Sequence, residues 1–233
     1  MTTSGSTDYN ETAIELLNSA YELARVKDPI ESLTAEQTQR GLASLNKILK
    51  YLQKMGMPLW GIKHGSITLT QGDSYYTCGA GGTGLTERPL QILDGYYRED
   101  NHDTEMEPIS REQYWNLSNK TSQGIPNQFY YDPQLTLGLL YIYNPADANS
   151  AGNTLELNYH RPFEDMDSLN NTFDFPQEWQ MPIEYALAVD IGLRNGIRQS
   201  RIAQLEAKAK EYYYEVSWSD VEPVSLQVQP DEN

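Results

Sequence analysis

Cysteine is nearly missing from this chain: Cys78 is the only one in 233 residues. A single thiol excludes an internal disulfide and any zinc site built from several cysteines, and it points to folding in a reducing compartment. Histidine is scarce too, with three residues, and His64 and His160 lie far apart and outside any zinc-protease pattern. Long apolar runs are absent, since no stretch approaches the ~18 residues that a membrane span requires. Residues Met1 to Asn10 are polar and lack the paired basic and apolar regions of a secretory leader. The expected setting is therefore the cytoplasm, without membrane insertion. The sequons at Asn116 and Asn119 accordingly read as chance matches.

Positive charge is also in short supply. Seventeen basic residues against 33 acidic ones leave a net charge of −16, so the average surface repels free nucleic acid. Two readings of that charge stand side by side. It suits the wall of a duct through which DNA slides, where basic phosphate contacts would act as brakes, and it equally serves acidic solubility. An apolar fraction of 39% argues against one sprawling core. Phenylalanine is rare at 4 residues, whereas tyrosine is abundant at 17. Tyrosine combines a large apolar ring with a hydroxyl that tolerates water, which fits surfaces buried only on assembly. It also fills strand positions, and both explanations remain open.

Periodicity divides the chain. Ile14, Leu17, Tyr21 and Ala24 predict a short amphipathic helix over residues 12–27, stopped by Asp28-Pro29. A second helix follows, with Thr34 and Gln37 as a capping box, Leu42, Leu45, Ile48, Leu49 and Leu52 as its stripe, and Gly56-Met57-Pro58 as its end. The two are expected to pack as a hairpin. From Ser66 the period becomes two, and strands are predicted near residues 66–70, 74–77, 90–97, 128–131, 139–143 and 154–159, separated by Gly-, Asn-, Asp- and Pro-rich segments. That spacing fits a small β-sandwich or barrel.

Helix signals return after Phe175-Pro176. Pro182 lies near a helix start, with Ile183, Leu187 and Ile191 on one face and Ala186, Ala188 and Gly192 permitting close approach. A last helix covers about residues 198–216, with the stripe Ile202, Leu205, Ala209 and Tyr212 and an i,i+4 pair of Glu206 and Lys210. The predicted class is α+β: an α-helical bundle formed by the N- and C-terminal helices, with a small β-sandwich or barrel-like region inserted between them. The expected boundaries are 1–62 for the first helical part, 63–175 for the β insertion, 176–217 for the second helical part and 218–233 for an extended arm. In that arm Val224, Leu226 and Val228 alternate with polar residues, a strand pattern with no partner nearby in sequence, so it either pairs with another chain or is disordered.

Chemistry-bearing motifs are few. Gly79-Ala80-Gly81-Gly82-Thr83-Gly84 matches G-x-G-x-x-G after a strand, but Pro89 and the strand-like residues 90–97 leave no helix N-terminus to hold a pyrophosphate, so a turn is the expected outcome. Asp100, His102, Asp103, Glu105 and Glu107 read as a solvated acidic loop whose oxygens offer ligands to a divalent cation, in neither EF-hand nor zinc spacing. No G-x-S-x-G elbow occurs. Glu164, Asp165, Asp167 and Asp174 flank an aromatic segment and supply the alternative reading, a cell-wall glycoside hydrolase using paired carboxylates; a free-standing binding module is the third class. No cofactor or metal is expected.

The order of several segments resembles the head-to-tail adaptor, or tail accessory factor, family of short-tailed, podovirus-type phages. The segments are Leu42-Ala43-Ser44-Leu45-Asn46, Ser74-Tyr75-Tyr76-Thr77 with Gly79-Ala80-Gly81-Gly82, Arg88-Pro89-Leu90, Pro108-Ile109-Ser110, Tyr114-Trp115, Pro126-Asn127-Gln128-Phe129-Tyr130-Tyr131, Leu140-Tyr141-Ile142-Tyr143-Asn144-Pro145, Tyr159-His160-Arg161-Pro162 and Phe175-Pro176-Gln177-Glu178-Trp179. The resemblance covers most of the chain and is weakest at both ends. It implies a non-enzymatic virion protein, a ring of usually twelve subunits seated under the portal protein and continuing the DNA channel toward the tail. The implied partners are other copies of the chain, the portal protein, a downstream tail hub or nozzle with a tail fibre or tailspike, and genomic DNA passing without sequence-specific binding. Contacts in such an assembly are expected at Tyr75, Tyr76, Arg88, Arg194, Arg198, Arg201, Trp218, Val224, Leu226 and Val228. Arg194, Arg198 and Arg201 are expected to share a helix face, either meeting an acidic neighbour or solvated.

Overall fold

The computed structural model describes residue 5 and residues 9–55 and 59–219. It is a mixed α+β chain. Among the described residues there are five α-helices, α1 (Ala13–Leu23), α2 (Ala35–Met55), α3 (Arg111–Asn116), α4 (Gln180–Arg194) and α5 (Gln199–Ser219). Seven strands accompany them: β1 (Ile62–Thr68), β2 (Tyr75–Cys78), β3 (Gln91–Glu99), β4 (His102–Pro108), β5 (Gln128–Asp132), β6 (Gly138–Tyr143) and β7 (Thr154–His160). The chain forms two compact units, Met1–Trp60 with Phe163–Asn233, and Gly61–Pro162.

In the first unit, α1 starts at Thr12, whose N–H donates to Glu15 Oε2 at 2.8 Å. The Thr34 box read from the sequence opens α2: Thr34 N–H donates to Gln37 Oε1 at 2.9 Å and Gln37 N–H donates to Thr34 Oγ1 at 3.2 Å. Leu16, Leu17 and Ala20 of α1, Leu45 and Leu49 of α2, and Ile183, Leu187, Ala188 and Ile191 of α4 form one buried cluster, joined by Leu205 of α5. The predicted hairpin of α1 and α2 is only part of the arrangement, because each lies chiefly on α4, which also carries α5. Residues 163–175, grouped with the strands in the sequence reading, belong to this helical unit. They lack the period of two, and they are tied down from the helices. Asn46 accepts from Met166 N–H at 2.8 Å and donates to Met166 O at 3.1 Å, and Ala13 N–H donates to Asn171 O at 3.0 Å.

The second unit is a single curled sheet in the order β1-β7-β3-β4-β5-β6-β2 rather than two stacked sheets. Neighbours are antiparallel except β4 and β5, which are parallel. One strand joins the two halves: β4 pairs with β3 through His102–Met106 and with β5 through Glu107 and Pro108. Residues from all seven strands, among them Ile67, Tyr76, Ile92, Met106, Phe129, Leu140 and Leu157, meet in one core inside the curl.

The glycine-rich segment closes the β2 edge of this sheet. Thr77 N–H donates to Thr83 Oγ1 at 3.2 Å, and Gly84 N–H donates to Thr77 O at 2.8 Å. A Cβ on Gly82 would run into the Thr77 carbonyl, and Gly81 holds a φ of +78°, so the glycines serve a tight turn whose amides at Gly79, Gly82 and Gly84 bond within the unit. The acidic segment departs from the sequence reading: it is not a loop but the β3–β4 hairpin. Asp100 and Asn101 take φ of 45° and 63°, the left-handed pair of a two-residue turn, and His102 to Pro108 is strand. Its period was hidden because Met106 alone of these seven residues is buried. No cluster of three or more potential metal ligands occurs among the described residues.

Candidate interaction surface

Tyr75 and Tyr76 point to opposite sides of β2, as successive strand residues must. Tyr76 is buried in the core, its hydroxyl accepting from Thr70 N–H at 2.8 Å, whereas Tyr75 is 52% exposed. Register turns Tyr75 into part of a row. Tyr141 of β6 lies directly opposite Tyr75 on one side and Tyr130 of β5 on the other. The ring centroids of Tyr75 and Tyr141 are 5.9 Å apart, and Tyr130 stacks on Tyr141 at 5.7 Å with an interplanar angle of 10°.

The short helix α3 completes this face. Ser110 and Gln113 form its capping box, with Ser110 N–H donating to Gln113 Oε1 at 2.7 Å. Tyr114 is buried against Tyr141 at 4.9 Å, and Trp115 meets Tyr141 edge-on at 6.0 Å while remaining 54% exposed. Lys120 holds the end of α3, donating to Trp115 O at 3.0 Å and Leu117 O at 2.8 Å, with its ammonium 5.6 Å from both the Tyr114 and Trp115 rings. Burial pushes the Tyr114 and Tyr130 hydroxyls above the ordinary tyrosine value. The result is an aromatic platform whose inner rings are packed and whose outer rings, Tyr75 and Trp115, meet solvent in fixed positions.

A polar network occupies the outward face of β1, β7, β3 and β4. The Glu156 carboxylate is buried and accepts from Thr154 Oγ1 at 2.7 Å, Ser66 Oγ at 3.0 Å and His64 Nε2 at 2.8 Å, with Arg98 Nη1 at 3.5 Å. Burial alone would raise its pKa, but the three hydrogen bonds and the Arg98 charge together outweigh that and hold it below the usual carboxylate value. Arg98 also clasps Asp103 through two bonds of 2.6 and 2.7 Å. Because Asn158 Nδ2 donates to Asp94, its Oδ1 faces His64 Nδ1 at 3.2 Å, so both ring nitrogens of His64 meet acceptors. A carboxylate held by this many donors is fixed as an anion and is not free to act as a base.

The other sequence-predicted contact residues are scattered. Arg88 donates to Gln134 O at 3.2 Å. Arg194, Arg198 and Arg201 do not share a helix face, because the chain turns at Asn195-Gly196, where Gly196 has φ of +64°, between α4 and α5. Arg194 pairs with Asp190 at 2.7 Å and lines a cleft of about 420 Å³ beside Arg40, Tyr21 and Gly41. Arg201 turns inward, giving Leu23 O two bonds of 3.2 and 2.8 Å, and Arg198 is exposed. On α5 the ion pair is Lys208 with Glu211 at 2.8 Å. Trp218 is 86% exposed one helical turn after Tyr214, which is 67% exposed. Val224, Leu226 and Val228 lie outside the described residues. Of the acidic group weighed for glycoside hydrolysis, Asp165 pairs with Lys50 at 2.8 Å and Asp174 accepts from Glu164 N–H at 3.2 Å.

Tyr114, Trp115, Tyr130, Tyr141 and Lys120 were not among the predicted contact residues. The signal available for them was the offset of Tyr130 and Tyr141 from the buried Phe129, Leu140 and Ile142, which sends both rings to the face opposite the core. No protein-family model matches the chain, and no curated protein matches its sequence.

Proposed function

We propose that the chain is a structural virion protein, the head-to-tail adaptor of a short-tailed phage, assembling as a ring of about twelve copies under the portal protein and continuing the DNA channel. The observation that carries the assembly reading is the aromatic platform: Tyr75 and Trp115 stand half exposed on a packed base of Tyr114, Tyr130 and Tyr141, with Lys120 beside them. Rigid, partly desolvated aromatic rings are what stable protein interfaces use as anchors. The resemblance of its segment order to the adaptor family supports the particular assembly, a reading that involves no covalent chemistry or cofactor.

In this reading the terminal helices act as the bundle that meets portal and neighbouring subunits, with Tyr214 and Trp218 of α5 exposed for such contacts. The β unit is an insertion whose platform receives the downstream hub or nozzle, with fibre or tailspike beyond. Copies carrying −16 each repel one another, so their contacts must be apolar or locally paired. Synthesis takes place in the host bacterial cytoplasm, and the finished protein resides in the neck of the virion.

Negative-stain imaging of the full chain mixed with the portal protein of the same phage tests this. Rings seated on portal are expected; cleavage of cell-wall glycan by the purified chain, with no ring, would move the function to hydrolysis.

A further inference from the structure

β4 is paired on both sides only at its C-terminal end. Its residues His102–Met106 pair with β3, whereas β5 reaches it only at Glu107 and Pro108. The direction of the remaining backbone groups follows from the period of two. Glu107 N–H points toward β5, donating to Asn127 O at 2.9 Å, so the N–H and C=O groups of Asp103 and Glu105 point out on that same side. The hairpin agrees: with a two-residue turn, Glu99 and His102 exchange bonds, as do Tyr97 and Thr104, which leaves Asp103 and Glu105 as the outward positions. Among the described residues neither has a backbone partner on that side. Two donors and two acceptors therefore stand in a row, on a stretch whose side chains, His102 to Glu105, are all exposed.

An open edge of this kind accepts a strand, and its charges decide which. Here Asp103 and Glu105 reject a strand bringing further carboxylates into register. Val224-Ser225-Leu226-Gln227-Val228 carries no charge, and it is five residues long, as is His102–Met106. Its nearest acidic neighbours, Glu222 and Asp231, fall outside the five. With Ser225 and Gln227 beside the exposed Asp103 and Glu105 side chains, Val224, Leu226 and Val228 would fall on the other face of the edge, that of His102, Thr104 and Met106, where the buried Met106 is the apolar neighbour.

We propose that residues 224–228 of a second copy add to this free edge of β4 as a further strand, linking neighbouring subunits; the proposal rests on the ring assembly proposed above. Two variants of the full chain, each mixed with portal protein, test it. In Asp103→Cys with Gln227→Cys, mild oxidation is expected to give covalent multimers on a denaturing gel, absent from either single variant; the native Cys78 is buried. Glu105→Pro removes an outward N–H while leaving the bonds to β3 in place, and it is expected to raise the concentration needed for ring formation about tenfold or more. Its melting temperature should stay near that of the parent, and Glu105→Ala should assemble as the parent does. Rings that form normally in Glu105→Pro, or a cross-link that stays within one chain, would overturn the edge contact and leave the ring reading standing. A parent chain that never forms rings with portal would overturn both.

Discussion

Tyr141 lies directly across the β6–β2 pairing from Tyr75, with the two ring centroids 5.9 Å apart. Tyr75 thereby has a fixed inner neighbour although half of its surface is in water, and Trp115 relates to Tyr141 in the same way. Replacing Tyr75 or Trp115 with alanine should leave stability within about 1 kcal/mol while weakening association with the tail partner by about 2 kcal/mol, roughly thirtyfold. Tyr114→Ala removes a buried ring and should lower stability by about 3 kcal/mol. Denaturant melts combined with binding isotherms separate the two outcomes.

Arg201 serves the fold. Its guanidinium gives two hydrogen bonds to Leu23 O, a carbonyl in the last turn of α1, where the helix dipole favours a cation. Arg201→Ala should cost about 2 kcal/mol, with Arg201→Lys intermediate because it loses the fork. Arg198→Ala, at an exposed position, should not change the melting temperature measurably. An equal loss from both substitutions would contradict the assignment.

The Glu156 network gives the β unit an acid sensitivity with a defined sign. Its folded pKa is held below the unfolded value near 4.5, so its stabilisation is complete above that value and is lost as pH falls through the folded pKa. Glu156→Gln should lower stability at neutral pH by about 2 kcal/mol and flatten the acid limb of the pH–stability curve. The comparison is made by urea titration at a series of pH values.

Glu184 has the opposite sign. Burial between α1 and α4 raises its pKa, against a hydrogen bond from Ser19 Oγ that lowers it, and Glu11 adds repulsion. A raised carboxylate pKa means that its contribution falls as pH rises from the unfolded value through the folded one. Glu184→Gln should therefore raise the melting temperature at pH 7 and make little difference near pH 4. A lower melting temperature at pH 7 would show that the carboxylate is wanted as an anion.

The helices were legible because their apolar stripes and the Thr34–Gln37 box are local signals, each contained within a few turns. The same box at Ser110 and Gln113 opens α3, but six residues are too few to show a stripe. β4 resembles a loop in sequence because its outward charges outnumber its one core residue, Met106. The aromatic platform was out of reach for a different reason. Tyr75, Tyr130 and Tyr141 come from three strands, and only the pairing register aligns them. Likewise, the expectation of a shared arginine face rested on the spacing of Arg194, Arg198 and Arg201, and the chain turns at Gly196 between the first of them and the other two.

The most direct test of the assembly reading is the mass of the purified full chain by light scattering, alone and after mixing with portal protein of the same phage. A portal-bound mass that grows by about twelve chains is the expected result, and a chain that keeps its monomer mass of 26.5 kDa with portal present would contradict it.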